Sequence, residues 1–95
     1  FAPDSDVTRQ DMAVILYRYA RFMDIDLPKK EEAIPFADDA EIADYAREAL
    51  YAMQQAGVIS GKPGNIADPK GNATRAEVAA MLHRFIMAAG DGDIR

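Results

Sequence analysis

Apolar residues recur at three- and four-residue intervals in three stretches of the chain, and each stretch predicts an α-helix. In the first, Met12, Ile15, Leu16, Tyr19, Phe22 and Met23 form one stripe, the spacing that gathers side chains on one face of a helix. This helix is expected to open at Thr8 and to end near Met23 or Asp24. The second stripe is Ile42, Tyr45, Ala46, Ala49, Leu50 and Met53. It predicts a helix from about Ile42 to Ala56, with Gly57 as its left-handed stop. The third helix begins after Thr74, carries Val78, Met81, Leu82, Phe85 and Ile86, and has Gly90 as its expected stop. Residues 24–35 are mostly polar and end in Pro35, which reads as a connecting loop. Residues 57–72 are rich in Gly and Pro, which enforce turns. Within them Val58 and Ile59 form either a very short strand or a plug for the core. No stretch sustains strict alternation, so the expected fold is all-α: a small helical bundle, helix–loop–helix in each repeat, with long Gly- and Pro-containing loops.

The first and third helices state nearly the same phrase. Thr8, Arg9, Ala13, Leu16 and Arg18 recur as Thr74, Arg75, Ala79, Leu82 and Arg84, each 66 residues later. Pro3 recurs as Pro69, and Asp6/Asn72, Asp11/Glu77 and Tyr19/Phe85 are conservative pairs. An ordered set of this kind marks an internal repeat. The expected organisation is the back half of one repeat (1–24), a linker (25–35), a complete repeat (36–88) and a tail (89–95). The chain opens at Phe1 without a methionine, so it reads as a segment of a longer protein.

Thr74-Arg75-Ala76-Glu77 is a capping box: the Thr hydroxyl accepts from the N–H of Glu77, and the Glu carboxylate reaches back to the N–H of Thr74. Thr8-Arg9-Gln10-Asp11 is a shorter-armed version. Asp38 is expected to cap the second helix or to orient an Arg. Capping does not explain the arginines. A cation in the first turn faces the positive end of the helix dipole, which is unfavourable by a few tenths of a kcal/mol. Two readings of Arg9 and Arg75 remain open. One is an anion site, where free helix N–H groups and a guanidinium fork together hold a carboxylate. The other is an ion pair with an acid such as Asp38 or Asp39, tying loop to helix.

Composition narrows the function. The 95 residues are 49% hydrophobic, enough for a packed core, and the net charge is −5. Acidity argues against a nucleic-acid or anionic-membrane binder, and no apolar run reaches the roughly 18 residues of a membrane span. Cysteine is absent and His83 is the sole histidine, so no metal or cofactor site is expected. His83, aligned with Tyr17, reads as a packing or surface residue. Arg18 and Arg84 read as cations near helix C-termini, where they are favourable. The carboxylate pairs Asp38/Asp39 and Glu31/Glu32 are adjacent on loops with no group opposite, so paired-acid catalysis has no support. A calcium loop over residues 68–77 lacks its closing bidentate acid. The chain is therefore expected not to be an enzyme. The apolar stripe of the first helix, lacking the opening half of its repeat, is expected to be partly uncovered and to favour a homodimer or contact with a neighbouring repeat.

The complete repeat resembles the S-layer homology (SLH) domain. It carries Phe36-Ala37-Asp38, Tyr45-Ala46, Gly57-Val58-Ile59-Ser60-Gly61, Ala67-Asp68-Pro69, Thr74-Arg75-Ala76-Glu77 and Arg84-Phe85 in the family's order and spacing. The half-repeat matches from Phe1-Ala2-Pro3 to Tyr19. Tyr45 stands where Trp is usual, Ala67 where Phe is usual, and Thr8-Arg9-Gln10-Asp11 is a degraded copy of the Thr-Arg-Ala-Glu motif. The resemblance implies a module of the bacterial cell surface, commonly three copies about a pseudo-threefold axis. Grooves between copies bind a secondary cell-wall polysaccharide, often bearing a pyruvate ketal, and the Arg of Thr-Arg-Ala-Glu engages its carboxylate. Carried onto this chain, that implies binding at Arg75 with Thr74, at Arg9 with Thr8, and along Ser60, Gly61, Lys62 and Tyr45.

Overall fold

The computed structural model describes residues 7–27, 29 and 32–93, the last three by backbone alone. Phe1-Ala2-Pro3, Asp6 and Glu31 lie outside the described residues. Three α-helices form: α1 (Arg9–Phe22), α2 (Asp44–Gln55) and α3 (Arg75–Asp93). One 3₁₀ turn, Asp39–Glu41, leads into α2. Among the described residues there is no strand, only isolated antiparallel bridges between Thr8 and Asn72 and between Lys62 and Ile66. The expected all-α fold is the one observed.

Local signals set most helix ends. Thr8 caps α1, its hydroxyl accepting the N–H of Asp11 at 3.2 Å. At the other end Asp24 turns left-handed (φ 57°), and the N–H of Ile25 donates to Ala20 O at 2.8 Å. Gly57 ends α2 in the same way (φ 79°), with Val58 N–H on Met53 O and Gly57 N–H on Gln54 O. Both are Schellman closures, which use the last helical carbonyls as acceptors.

Three expectations fail, each for a visible reason. The second helix starts at Asp44, not Ile42, because the 3₁₀ turn occupies the preceding residues and Ile42 is extended. Asp38 does not cap it. Its carboxylate is drawn across the molecule to the backbone N–H groups of Ala67 and Asp68, each at 2.8 Å. Gly90 does not stop α3, which continues to Asp93. Gly90 is not among the positive-φ glycines, and the flanking Met87, Ala88 and Ala89 are good helix formers that offset its roughly 1 kcal/mol helix penalty. Arg84 therefore sits in the body of α3 and not near a C-terminus.

The core is shared by all three helices and the 58–73 loop. Leu50, Met53, Val58 and Pro69 are the largest fully buried side chains, joined by Phe36, Ile42 and four alanines of α1 and α2: Ala13, Ala20, Ala46 and Ala49. Val58 and Ile59 are a core plug, not a strand. α1 lies chiefly along α2 and touches α3, where the Tyr19 and Phe85 rings meet edge to face at 6.0 Å.

The repeated helices bury different faces, which share only the position of Met12 and Val78. Leu16 is 4% exposed but its counterpart Leu82 is 41% exposed; Tyr19 is 51% exposed but Phe85 only 5%. The same inversion separates Ala20 from Ile86 and Ile15 from Met81. α1 buries the face turned to α2, the opening helix of the next repeat. α3 buries Val78, Met81, Phe85 and Ala88, with Phe85 against Tyr19 of α1. This leaves Ile15, Tyr19 and Phe22 bare on α1, and Leu82 and Ile86 bare on α3.

The two glycines give an opposed pair of predictions. A Cβ at either would meet no atom within 4 Å, so only the backbone decides. Gly57→Ala should destabilise the fold by about 1 kcal/mol because its φ is positive. Gly90→Ala should stabilise it by roughly 0.5–1 kcal/mol because it is helical. Thermal unfolding of the two variants checks both signs.

Candidate functional site

The N-terminus of α1 is already occupied. The N–H of Arg9 donates to Gly71 O at 2.9 Å, that of Gln10 to Pro69 O at 3.0 Å, and that of Asp11 to the Thr8 hydroxyl. The N–H of Ala73 returns the contact to Val7 O at 2.9 Å. These bonds join the half-repeat to the loop that precedes α3. Ala43, the residue before α2, is held from the same helix by Gln10, whose side-chain oxygen accepts its N–H at 3.0 Å.

Arg9 follows the backbone inward and is only 6% exposed. Its Nε donates to Ala67 O at 2.9 Å, one terminal nitrogen meets Glu77 Oε2 at 2.6 Å, and the other reaches Ser60 O at 3.5 Å. The ion-pair reading of Arg9 names the right kind of contact with the wrong acid. Asp38 is taken by backbone N–H groups. Asp39 pairs with Arg47 at 2.6 Å and accepts the Tyr51 hydroxyl at 2.7 Å.

Glu77 serves two ends. One oxygen holds Arg9; the other accepts the Thr74 N–H at 2.9 Å, while the Thr74 hydroxyl accepts the Glu77 N–H at 3.1 Å. The full capping box forms. The Thr74 N–H above all, with the charges of Arg9 and Lys62, holds the Glu77 carboxyl below the usual carboxylate range against the opposing effect of burial. Asp11 cannot repeat this, having the shorter arm. Its carboxylate instead accepts the Tyr45 hydroxyl at 2.6 Å, which raises the Tyr45 phenol above its ordinary value.

A groove of about 320 Å³ opens between the turn after α2 and the outer side of α3, lined by Arg9, Ser60, Gly61, Lys62, Glu77 and Arg84 among others. A second hollow of about 200 Å³ shares Ser60, Gly61 and Arg84 with it and extends toward Gln54 and Asn65. Gly61 allows the tight turn, since a Cβ there would fall 2.7 Å from Asn65 Oδ1. Lys62 is exposed and pairs with Asp68 at 2.6 Å. The Ser60 hydroxyl and the Gly61 N–H make no hydrogen bond among the described residues.

Thr74 and Arg75 are not part of this lining. Arg75 precedes Arg84 by nine residues, about two and a half helical turns, so it lies on the opposite side of α3. The structure thus joins Ser60, Gly61 and Lys62 to Arg9, from the preceding repeat, and not to Arg75. Tyr45, an exposed residue, walls a separate cavity. Arg84 was missed as a site residue because its expected place near a helix end supplied a reason for its charge. Its recurrence at the position of Arg18 was the available signal. A further cavity of about 400 Å³ lies between α1, α2 and residues 25–27 and 29, but its Tyr17 and Glu48 already bond to each other at 2.6 Å and Arg21 lies over the Tyr17 ring.

A family model described as the S-layer homology domain matches residues 35–79. Residues 35–79 of the chain thus carry an S-layer homology domain. Relatives include an amylopullulanase of Thermoanaerobacterium thermosulfurigenes, 34% identical over 94% of this chain and 5% of its own length. Exoglucanase XynX of Acetivibrio thermocellus is 35% identical over 88% of this chain and 8% of that protein. An endoglucanase of a Bacillus species is 25% identical over 98% and 10%. The chain thus spans a tenth or less of these relatives. No solved structure matches it significantly. SLH domains are non-catalytic cell-surface modules that anchor surface proteins to the cell wall. No helix among the described residues is long and apolar enough to cross a membrane.

Acid should loosen the junction. Because the folded SLH domain depresses the Glu77 pKa, its contribution is present above the ordinary carboxylate range and is lost as pH falls through and below that range. Glu77→Gln should lower stability at neutral pH by about 1–2 kcal/mol and flatten the decline on acidification. Asp39, also depressed, chiefly by its Tyr51 hydrogen bond, should account for part of the slope that remains. Urea unfolding at a series of pH values measures both.

Proposed function

We propose that this SLH domain attaches its parent protein to the bacterial wall by holding an acidic, pyruvylated secondary polysaccharide in the groove between the Ser60–Lys62 turn and α3. One observation carries the reading. The chain is acidic overall, with a net charge of −5, yet this groove holds Arg9, Lys62 and Arg84; Arg9 pairs with Glu77 and Lys62 with Asp68, which leaves the Arg84 guanidinium without an acid among the described residues. The Ser60 hydroxyl and Gly61 N–H add unused donors for sugar oxygens.

Arg75 and Thr74 take the corresponding part at a further junction. Arg9 reaches from its own repeat into the loop of the next one, and Arg75 stands at the same point of its repeat. In this reading the chain holds one groove and supplies the edge of another, completed by a neighbouring repeat. Thr8 serves the first groove indirectly by fixing the start of α1. A single charge-assisted contact contributes about 1.5–3 kcal/mol, so useful attachment comes from several grooves acting together. The relatives' names are those of polysaccharide-degrading enzymes, and the cargo proposed for this module is an enzyme of that kind.

A second reading rests on the bare apolar residues Ile15, Tyr19 and Phe22 on α1 and Leu82 and Ile86 on α3. It makes the chain a packing module that joins neighbouring repeats, or a second copy of itself, without binding sugar.

Binding of purified pyruvylated wall polysaccharide, compared with the same polymer stripped of pyruvate, separates the readings. The chain should bind the intact polymer, lose most of that binding on stripping, and weaken several-fold in Lys62→Ala. Equal binding of both polymers would refute the anion site. Sedimentation that shows self-association without polymer binding would favour the packing module.

A further inference from the structure

The groove at α3 has a counterpart at α1. The α3 residues that line the first are Glu77, Ala80, Met81 and Arg84, with Ala76 beside them. A cavity of about 420 Å³ on α1 is lined by Asp11, Val14, Ile15 and Arg18, with Val7 and Tyr45. Those four pairs are each 66 residues apart, the spacing of the repeat. The same four positions of the repeated helix therefore make a cavity twice, although the helices bury different faces. Only the facing wall differs. At α3 it is the Ser60–Lys62 turn; at α1 it is the Tyr45 ring, held by its hydroxyl on Asp11 at 2.6 Å.

The charges within the two cavities follow one rule. The acid is engaged in each: Glu77 by Arg9 and the Thr74 N–H, Asp11 by Tyr45. The arginine is not. Arg18 and Arg84 are both exposed, and neither has an acceptor among the described residues. Arg9, Arg47 and Lys62, by contrast, are paired with Glu77, Asp39 and Asp68. A guanidinium fork in a cavity whose own acid is occupied suits an incoming carboxylate, which it can bind bidentately.

We infer that Arg84, and Arg18 one repeat earlier, pair with the acidic group of the bound polysaccharide, so that the chain carries two grooves of one plan. The inference rests on the polysaccharide reading for the class of ligand, and it assigns the anion contact to residues other than those of the Thr-Arg motif. Arg84 and Arg75 face opposite sides of α3, so one ligand carboxylate cannot use both.

The test is binding of the pyruvylated polymer and its stripped form to the full chain, to Arg84→Ala, to Arg18→Ala and to the double variant. Arg84→Lys separates charge from fork. Loss of one charge-assisted contact should weaken binding of the intact polymer by about tenfold or more in Arg84→Ala. The loss should be smaller in Arg18→Ala, whose groove has fewer cations. The double variant should no longer prefer the intact polymer, and Arg84→Lys should fall between wild type and alanine. Unfolding midpoints should not move, because neither side chain is paired among the described residues. Undiminished preference in the double variant would overturn the assignment and leave the polysaccharide reading standing. Failure of the wild-type chain to bind either polymer would overturn both.

Discussion

The guanidinium of Arg9 starts on the first helix and ends between the loop and the third, where Ala67 O, Glu77 and Ser60 O surround it. A buried charge is tolerated only when its hydrogen bonds are met, and removing one partner leaves the other uncompensated. Here the partners belong to the next repeat. Glu77 adds a second commitment, since the carboxylate that receives Arg9 also closes the capping box of α3. The angle at which α3 starts, the height of the Ser60 turn and the position of α1 are thereby tied to one cluster. The groove at α3 is bounded by the same residues, so its shape is inherited from the joint between repeats.

This joint explains why a repeated sequence does not fold into repeated surroundings. α1 has α2 beside it and covers Leu16; α3 meets α1 through the Tyr19 and Phe85 rings and covers Met81 and Phe85. Each helix carries both apolar faces in its sequence, and each uses one. The nearly continuous apolar character of residues 76–89 makes sense in these terms, as does the width of the α1 stripe. What stays constant between the copies is the polar edge that includes the acid at Asp11 or Glu77 and the arginine at Arg18 or Arg84.

Features governed by short-range chemistry were legible in the sequence. Thr8 and Thr74 announce helix starts because a hydroxyl three residues before a free N–H has one obvious acceptor role. Gly57 announces a stop because a left-handed residue is needed there. Val58 and Ile59, apolar and set between turns, could be narrowed to two roles. Features set by distant partners were not. Nothing near Asp38 signals that its carboxylate belongs to the N–H groups of Ala67 and Asp68. Nothing near Arg9 names Glu77 over Asp39. Gly90 carries the same letter as Gly57 but sits in a helix sustained by its neighbours, and that misplaced stop moved Arg84 toward a helix end and concealed its place on the groove. The family resemblance supplied the cell-wall role, while the pairing of Ser60, Gly61 and Lys62 with Arg9 required the fold.

The coupling between Arg9 and Glu77 is the quantity on which this account most depends, and a double-mutant cycle in urea unfolding measures it directly. Arg9→Met, Glu77→Gln and the double variant should show an interaction energy of about 1–3 kcal/mol, the range found for residues sharing one hydrogen-bonded network. The double variant should then be little worse than the poorer single one. Additive losses, with no coupling between the two positions, would contradict the view that this pair joins the repeats and shapes the groove.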